Sequence, residues 1–137
     1  MDKEPEKGTG RILIVDDEPI LVKLVTEMLR LMGYDIVSTT SSKEGLEIFK
    51  NAPDDFNIVI TDMTMPEITG DMLAQEMISI RKDIPVILCT GFNEHISEAR
   101  AREIGIREFM MKPVNMKILS DIIQRILGND EQGSKQL

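Results

Sequence analysis

A chain of 137 residues has the length of one domain, and it can bury roughly two-thirds of the surface that its unfolded form would expose. Hydrophobic residues make up 42% and charged residues 29%, which excludes disordered and coiled-coil classes for the chain as a whole. The net charge of -8 argues against nucleic-acid binding, which depends on clustered Lys and Arg side chains.

Both ends of the chain are polar, and residues 1–10 and 129–137 are expected to form flexible tails around a domain that spans 11–128. Within the domain, short β-branched runs alternate with helical patterns, which predicts a parallel sheet with helices on both faces. The five predicted strands cover residues 12–15, 34–38, 58–61, 85–90 and 108–111. The predicted helices cover residues 19–33, 41–50, 71–81, 93–104 and 115–127.

Apolar residues at helical spacing indicate which side of a helix faces the core. The first helix has one such set, predicted to be buried: Leu21, Val25, Met28 and Met32. The last helix has another: Ile118, Leu119, Ile122, Ile123 and Ile126. The helix at 93–104 has few apolar positions, so we expect it to be the least firmly packed.

Polar side chains follow the strands at their carboxyl ends. The first strand ends in Asp16 and Asp17, the third in Asp62, the fourth in Thr90 and the fifth in Lys112. In an open parallel sheet the ligand site lies at this edge, so these side chains should converge. Carboxylates about 4 Å apart repel by about 4 kcal/mol per pair at an effective dielectric of 20, so the cluster needs a cation. Oxygen ligands favour Mg²⁺.

A site of this composition can take up a phosphoryl group. A carboxylate beside Mg²⁺, a lysine and a threonine can attack phosphorus while the cations neutralise the phosphoryl oxygens. Asp62 is the favoured nucleophile because it stands alone at the end of a central strand. The adjacent pair, Asp16 and Asp17, is better suited to hold the metal. The expected product is an aspartyl phosphate.

The chain resembles the receiver domain of two-component response regulators over residues 11–127. The matching segments are specific in combination: 14–18 (Ile-Val-Asp-Asp-Glu), 62–66 (Asp-Met-Thr-Met-Pro) with Gly70, Thr90-Gly91 and Lys112-Pro113. This resemblance implies a flavodoxin-like, doubly wound (βα)5 fold.

The resemblance also implies a phosphoacceptor and a metal site. Asp62 looks like the phosphoacceptor. The implied Mg²⁺ site comprises Asp16, Asp17, Asp62 and the main-chain carbonyl of Thr64, and in it Asp16 matches the acid that orients metal-bound water.

Three further residues match the family's switch machinery. Thr90 matches the hydroxyl that moves onto the phosphoryl group, and Lys112 matches the cation that bridges to it. Phe109 falls on the switch aromatic, and phenylalanine has no hydroxyl, so it can bury fully. The bond between Lys112 and Pro113 is commonly cis in the family.

As a receiver, the chain would accept a phosphoryl group, change its surface and slowly lose the group to water, without being a multiple-turnover enzyme. The expected partners are a histidine kinase in cis or in trans, a histidine phosphotransfer protein or another receiver. Segments 61–66, 88–92 and 107–113 resemble the C-terminal receivers of hybrid sensor histidine kinases, which implies a fragment of such a kinase, with a stand-alone receiver as the alternative. We expect a cytoplasmic location without membrane contact, because no apolar run approaches the roughly 20 residues of a spanning helix.

Three alternative functions could use the same residues, and the sequence offers an argument against each. A phosphatase of the haloacid dehalogenase type needs a second acid two residues after its nucleophile, where this chain has Thr64. A flavodoxin-like cofactor binder would face repulsion between its phosphate and the acidic segment 16–18. A receiver that only binds partners, without phosphorylation, is disfavoured because all the expected positions are filled.

Three single residues need separate interpretations. Cys89, the only cysteine, lies in an apolar strand and is predicted to be an inert buried thiol. His95, the only histidine, is predicted to be solvated. Glu18 is assigned to the first turn of a helix, with a place in the acidic pocket as the alternative.

Overall fold

The computed structural model describes residues 10–91 and 96–128, which form a five-stranded parallel sheet in the order β2-β1-β3-β4-β5. The strands are β1 (Arg11–Val15), β2 (Asp35–Thr39), β3 (Ile58–Asp62), β4 (Val86–Thr90) and β5 (Glu108–Met111). The α-helices are α1 (Pro19–Leu31), α2 (Ser42–Asn51), α3 (Gly70–Ile80), α4 (Glu98–Ile104) and α5 (Met116–Leu127). The doubly wound α/β fold predicted from the sequence is confirmed.

Helices cover both faces of the sheet because strand side chains alternate between two cores. On β1, Leu13 and Val15 face the core formed with α2, α3 and α4, whereas Ile12 and Ile14 face the core formed with α1 and α5. Burial on both faces accounts for the continuous apolar run of this strand. The chain reverses its direction of growth between the neighbouring strands β1 and β3, and a parallel sheet opens a binding crevice at such a point.

Three helices begin at a polar side chain that accepts a hydrogen bond from an amide of the first turn: Ser41, Ser97 and Asn115. The Ser97 hydroxyl accepts from the Arg100 N–H at 3.0 Å, so α4 begins at Glu98. The predicted start at residue 93 is therefore wrong for residues 96 and 97, which precede the helix. Residues 93–95 of that prediction, with His95, lie outside the described part of the chain.

Each of the two predicted apolar faces contains one exposed residue, whereas the other members are buried in or packed on the core formed with α1 and α5. In α1, Met28 is 38% exposed, and the buried residues are Val22, Val25, Thr26 and Leu29. In α5, Ile118 is 50% exposed, and the buried residues are Leu119, Ile122 and Ile123. Both helices carry more apolar side chains than the sheet can cover, so spacing alone does not select the buried face.

The two ends of the described fold lie side by side. Gly10 packs so closely on α5 that a Cβ atom there would be 2.7 Å from Leu127 Cδ1. Both residues are at the edge of the sheet opposite the carboxyl ends of the strands. The predicted tails lie outside the described residues, apart from Gly10. No helix in the described part of the chain is both long and apolar enough to cross a membrane.

Cys89 lies within β4 and is 4% exposed, in the core formed with α1 and α5. Burial raises the pKa of the Cys89 thiol to about 12; the Asp62 carboxylate also raises it, and Lys112 partly opposes the rise. A thiol with so high a pKa stays protonated at neutral pH and is a poor nucleophile. The environment of Cys89 therefore agrees with the predicted inert thiol.

Gly70 begins α3 directly against the end of β3. A Cβ atom at this position would overlap the main-chain oxygen of Asp62 and lie 2.8 Å from Met63 Cα. The Gly70 N–H also donates a hydrogen bond to the Met63 carbonyl at 2.7 Å. Only glycine allows this approach without a shift of the backbone.

The burial of Cys89 can be tested by thiol labelling of the wild-type protein. In the folded protein at pH 8 we expect no reaction of Cys89 with a disulfide reagent such as DTNB, because burial keeps the thiol protonated and out of contact with the reagent. Full reaction is expected in denaturant. Rapid labelling of the native protein would contradict the packing around β4.

Gly70→Ala should lower the free energy of unfolding by about 3 kcal/mol or more, because the new methyl group overlaps main-chain atoms. Gly105→Ala is the matched control. Its backbone has a φ of +105°, but the nearest atom to a new Cβ is Ile78 Cδ1 at 3.4 Å. The control should lose only about 1 to 2 kcal/mol, from conformational strain. Urea denaturation measures both; a smaller loss for Gly70→Ala than for Gly105→Ala would contradict this close approach.

Candidate functional site

The predicted site residues lie at the carboxyl edge of the sheet. Asp16 directly follows β1, Asp62 is the last residue of β3, Thr90 is the last residue of β4, and Lys112 directly follows β5. These four strands are consecutive in the sheet. The parallel arrangement therefore brings residues that are up to 96 positions apart in the chain to one edge, at the point where the strand order reverses.

Three carboxylates form the centre of the site. One oxygen from each of Asp16, Asp17 and Asp62 lies within 4.8 Å of the others. Asp16 and Asp62 are 7% and 4% exposed, and Asp17 is more open to solvent. At this separation each pair repels by on the order of 3 kcal/mol at an effective dielectric of 20. An oxygen-only donor set with this excess negative charge fits a hard divalent cation such as Mg²⁺.

Lys112 is the cation that the fold brings to these acids. Its Nζ is 2.9 Å from Asp62 Oδ1, 3.6 Å from Asp16 Oδ2 and 3.8 Å from Glu18 Oε1. Burial acts to lower the pKa of Lys112, but the hydrogen bond to Asp62 and the attraction of the acids outweigh it and raise the pKa above its ordinary value. Lys112 is therefore held in its charged form. Glu18 joins the pocket, which was the alternative interpretation of this residue.

The ionised form of Asp16 is energetically unfavourable at this position. Burial raises the pKa of Asp16 above its ordinary value, although the hydrogen bond from the Glu18 N–H, 3.0 Å long, and the Lys112 charge act in the opposite direction. Repulsion from Glu18 and Asp17 adds to the rise. The fold thus disfavours the ionised form of Asp16, and a bound cation would favour it.

Asp62 is fixed in its orientation by the main chain. Its Oδ1 atom accepts a hydrogen bond from the Met63 N–H at 3.0 Å and also contacts Lys112. The Met63 N–H shares its hydrogen with the Cys89 carbonyl oxygen at 2.8 Å. One carboxylate oxygen of Asp62 is therefore oriented by both a main-chain amide and an ammonium group.

Thr90 and Phe109 lie on neighbouring strands and share one face of the sheet. Thr90 is 2% exposed, and its hydroxyl donates to the Gly91 carbonyl at 3.4 Å. Phe109 pairs with Leu88 in the register and packs on the core formed with α2, α3 and α4. Because side chains alternate along a strand, Thr90 faces the same side as Leu88. This geometry puts the two predicted switch residues on the same side.

Thr64 lies in the loop after β3, two residues from Asp62, with an exposed side chain. It is not one of the clustered carboxylates, and its predicted contribution is a main-chain carbonyl. The peptide bond between Lys112 and Pro113 is cis.

Comparisons with known proteins agree with this geometry. The family model described as the response regulator receiver domain matches residues 12–124. The two-component response regulator ARR11 of Arabidopsis thaliana is 31% identical over 128 residues, which are 93% of this chain and 24% of that protein. The chain spans half or less of the length of the first curated relatives that it matches.

Solved structures share the fold over nearly the whole chain. A response regulator receiver domain protein from Clostridium thermocellum superposes with a TM-score of 0.84 at 30% identity, covering 90% of this chain and 98% of that one. The receiver domain of the hybrid histidine kinase CckA has a TM-score of 0.72 at 26% identity, covering 86% of this chain and 99% of that one.

Receiver domains are phosphoacceptor switches that bind Mg²⁺ at an acidic pocket and interact with histidine kinases or phosphotransfer partners. The described fold is the flavodoxin-like one of these domains, and its acidic pocket lies at the corresponding edge of the sheet. On the family match across residues 12–124 and this shared fold, the chain belongs to the response regulator receiver domain family.

Proposed function

We propose that Asp62 accepts a phosphoryl group from the phosphohistidine of a histidine kinase. The observation that carries this proposal is the convergence of three carboxylates and Lys112 around the end of β3. Asp62 is the member of this cluster that ends a central strand and contacts the ammonium most closely. An acidic cluster with a paired lysine suits phosphoryl transfer, which depends on positioning and charge neutralisation.

In the transfer, an oxygen of the Asp62 carboxylate forms a bond to phosphorus while the bond from phosphorus to the histidine nitrogen breaks. Lys112 balances the negative charge that arrives with the phosphoryl group. We propose that Asp16, Asp17, Asp62 and the Thr64 carbonyl hold Mg²⁺, which when bound supplies further neutralisation of the phosphoryl oxygens.

Thr90 and Phe109 are the proposed switch. Movement of the Thr90 hydroxyl toward the phosphoryl group would open space on the shared face of β4 and β5, and the half-buried Phe109 ring can turn into it. Because this ring has no polar group, its full burial leaves no hydrogen bond unmade. The signal would then leave through the surface of α4, β5 and α5.

The proposal also covers the domain bounds, the location and the partners of the protein. We propose a receiver domain at residues 11–128 that acts in the cytoplasm, without contact with nucleic acid or membrane, and loses its phosphoryl group slowly to water. Its partners would be a histidine kinase, joined to this domain as in hybrid kinases or separate from it, and a histidine phosphotransfer protein or another receiver.

Phosphorylation by a small acyl phosphate tests the role of Asp62. With acetyl phosphate and Mg²⁺, intact-protein mass spectrometry should detect one added phosphoryl group on the wild type and none on Asp62→Asn. Asp55→Asn is the matched control, because Asp55 pairs with Arg11 at 3.4 Å at the opposite edge of the sheet. The control should label like the wild type. Labelling of Asp62→Asn would assign the acceptor to another residue.

Asp16→Asn should raise the melting temperature in EDTA at neutral pH. Folding raises the pKa of Asp16, so at pH values above the pKa of this carboxyl in the unfolded chain its ionisation destabilises the fold. The uncharged amide of asparagine removes this destabilisation and still offers an acceptor for the Glu18 N–H. We expect roughly 4 °C for each kcal/mol gained at this chain length. Added Mg²⁺ should stabilise Asp16→Asn less than the wild type. A lower melting temperature of the variant in EDTA would contradict the described charge crowding.

A further inference from the structure

Ser42 is a buried serine at the start of α2, with 2% of its surface exposed. Its hydroxyl donates a hydrogen bond to the Pro66 carbonyl at 2.8 Å and accepts one from the Ile68 N–H at 3.2 Å. Pro66 and Ile68 belong to the loop between β3 and α3, 24 and 26 positions farther along the chain. A single hydroxyl of α2 is therefore hydrogen-bonded to both a carbonyl and an amide of that loop.

The two groups that Ser42 contacts are the ends of a tight turn. The Ile68 N–H also donates to the Pro66 carbonyl at 2.8 Å, and Glu67 between them has a φ of 73°. Glutamate rarely adopts a positive φ, and a three-residue turn of this hand is uncommon and strained. Such a turn persists only where the surrounding structure holds it. Ser42 provides that support by bridging both ends.

The strained turn belongs to the loop that carries the proposed metal site. The loop starts at Met63, whose N–H donates to Asp62 Oδ1 at 3.0 Å, and the Gly70 N–H returns to the Met63 carbonyl at 2.7 Å. Thr64 directly follows Met63 and lies two residues before Pro66, where the turn begins. Only Met65 separates Thr64 from the turn, so we expect a change in the conformation of the turn to move the main chain of Thr64.

We propose that Ser42 is a positioning residue for the Mg²⁺ site, because its hydroxyl fixes the loop that presents the Thr64 carbonyl beside the carboxylates. The inference rests on the proposed function, since it takes this loop to supply a metal ligand. Ser42 acts through the main chain of the loop and not by contact with the metal.

Ser42→Ala removes both hydrogen bonds, and the alanine that it introduces favours the helical conformation. In the unphosphorylated protein, isothermal titration with Mg²⁺ should give a dissociation constant about tenfold higher than that of the wild type, as is typical when a group that orients metal ligands is lost. Amide exchange followed by NMR should speed up at Ile68, because its N–H loses the Ser42 acceptor and keeps only the bond within the strained turn.

Ser41→Ala is the matched control. The Ser41 hydroxyl accepts from the Glu44 N–H at 3.1 Å and so stabilises the same helix end from within α2. Ser41→Ala should lower the melting temperature yet leave the Mg²⁺ dissociation constant within about twofold of the wild type, an effect of less than 0.5 kcal/mol. An equal loss of affinity in both variants would overturn the inference in favour of general destabilisation.

Two further outcomes separate this inference from the proposed function. Unchanged Mg²⁺ affinity in Ser42→Ala, beside normal binding in the wild type, would overturn the role of Ser42 alone. A wild type that binds no Mg²⁺ and takes no phosphoryl group from acetyl phosphate would overturn the proposed function and the inference together.

Discussion

Repulsion among three carboxylates at neighbouring strand ends is the constraint on which the rest of this site depends. Asp16 and Asp62 are buried by the sheet and its helices, so water screens their charges only weakly. Lys112 follows β5 and reaches Asp62 past the end of one intervening strand and Asp16 past the ends of two, and it neutralises part of the negative charge. The remaining negative charge suits the pocket to a hard divalent cation. Two well-packed cores supply the stability that keeps these acids together.

The fold could be predicted from the sequence because the buried strands leave a strong local signal. The run 12–15 is apolar without interruption because its residues alternate between two cores, and its boundary at Asp16 is abrupt. The buried faces of α1 and α5 were harder to predict. Ile20, Leu24 and Leu31 of α1 are all more than half exposed, so this helix has apolar residues on two sides and its spacing fits more than one orientation.

The acids and the lysine of the site were predictable because parallel strands end at one edge, and this rule needs no knowledge of the loops. The role of Ser42 was not predictable from the sequence, because a serine in the first turn of a helix has the same local pattern as a cap. The hydrogen-bond partners of Ser42 are also remote in the chain. Nothing in the residue type of Glu67 indicates a positive φ. Long-range hydrogen bonds decide both features, and a local pattern does not carry them.

The contact between Gly10 and Leu127 has a practical meaning for how such a domain can be used. Through this contact the start of β1 and the end of α5 meet at the edge of the sheet opposite Asp62. A fluorescent tag, a surface anchor or a neighbouring module attached there joins the domain at the edge of the sheet away from the acidic pocket. The same domain can thus be inserted within a larger chain through a single shared attachment region.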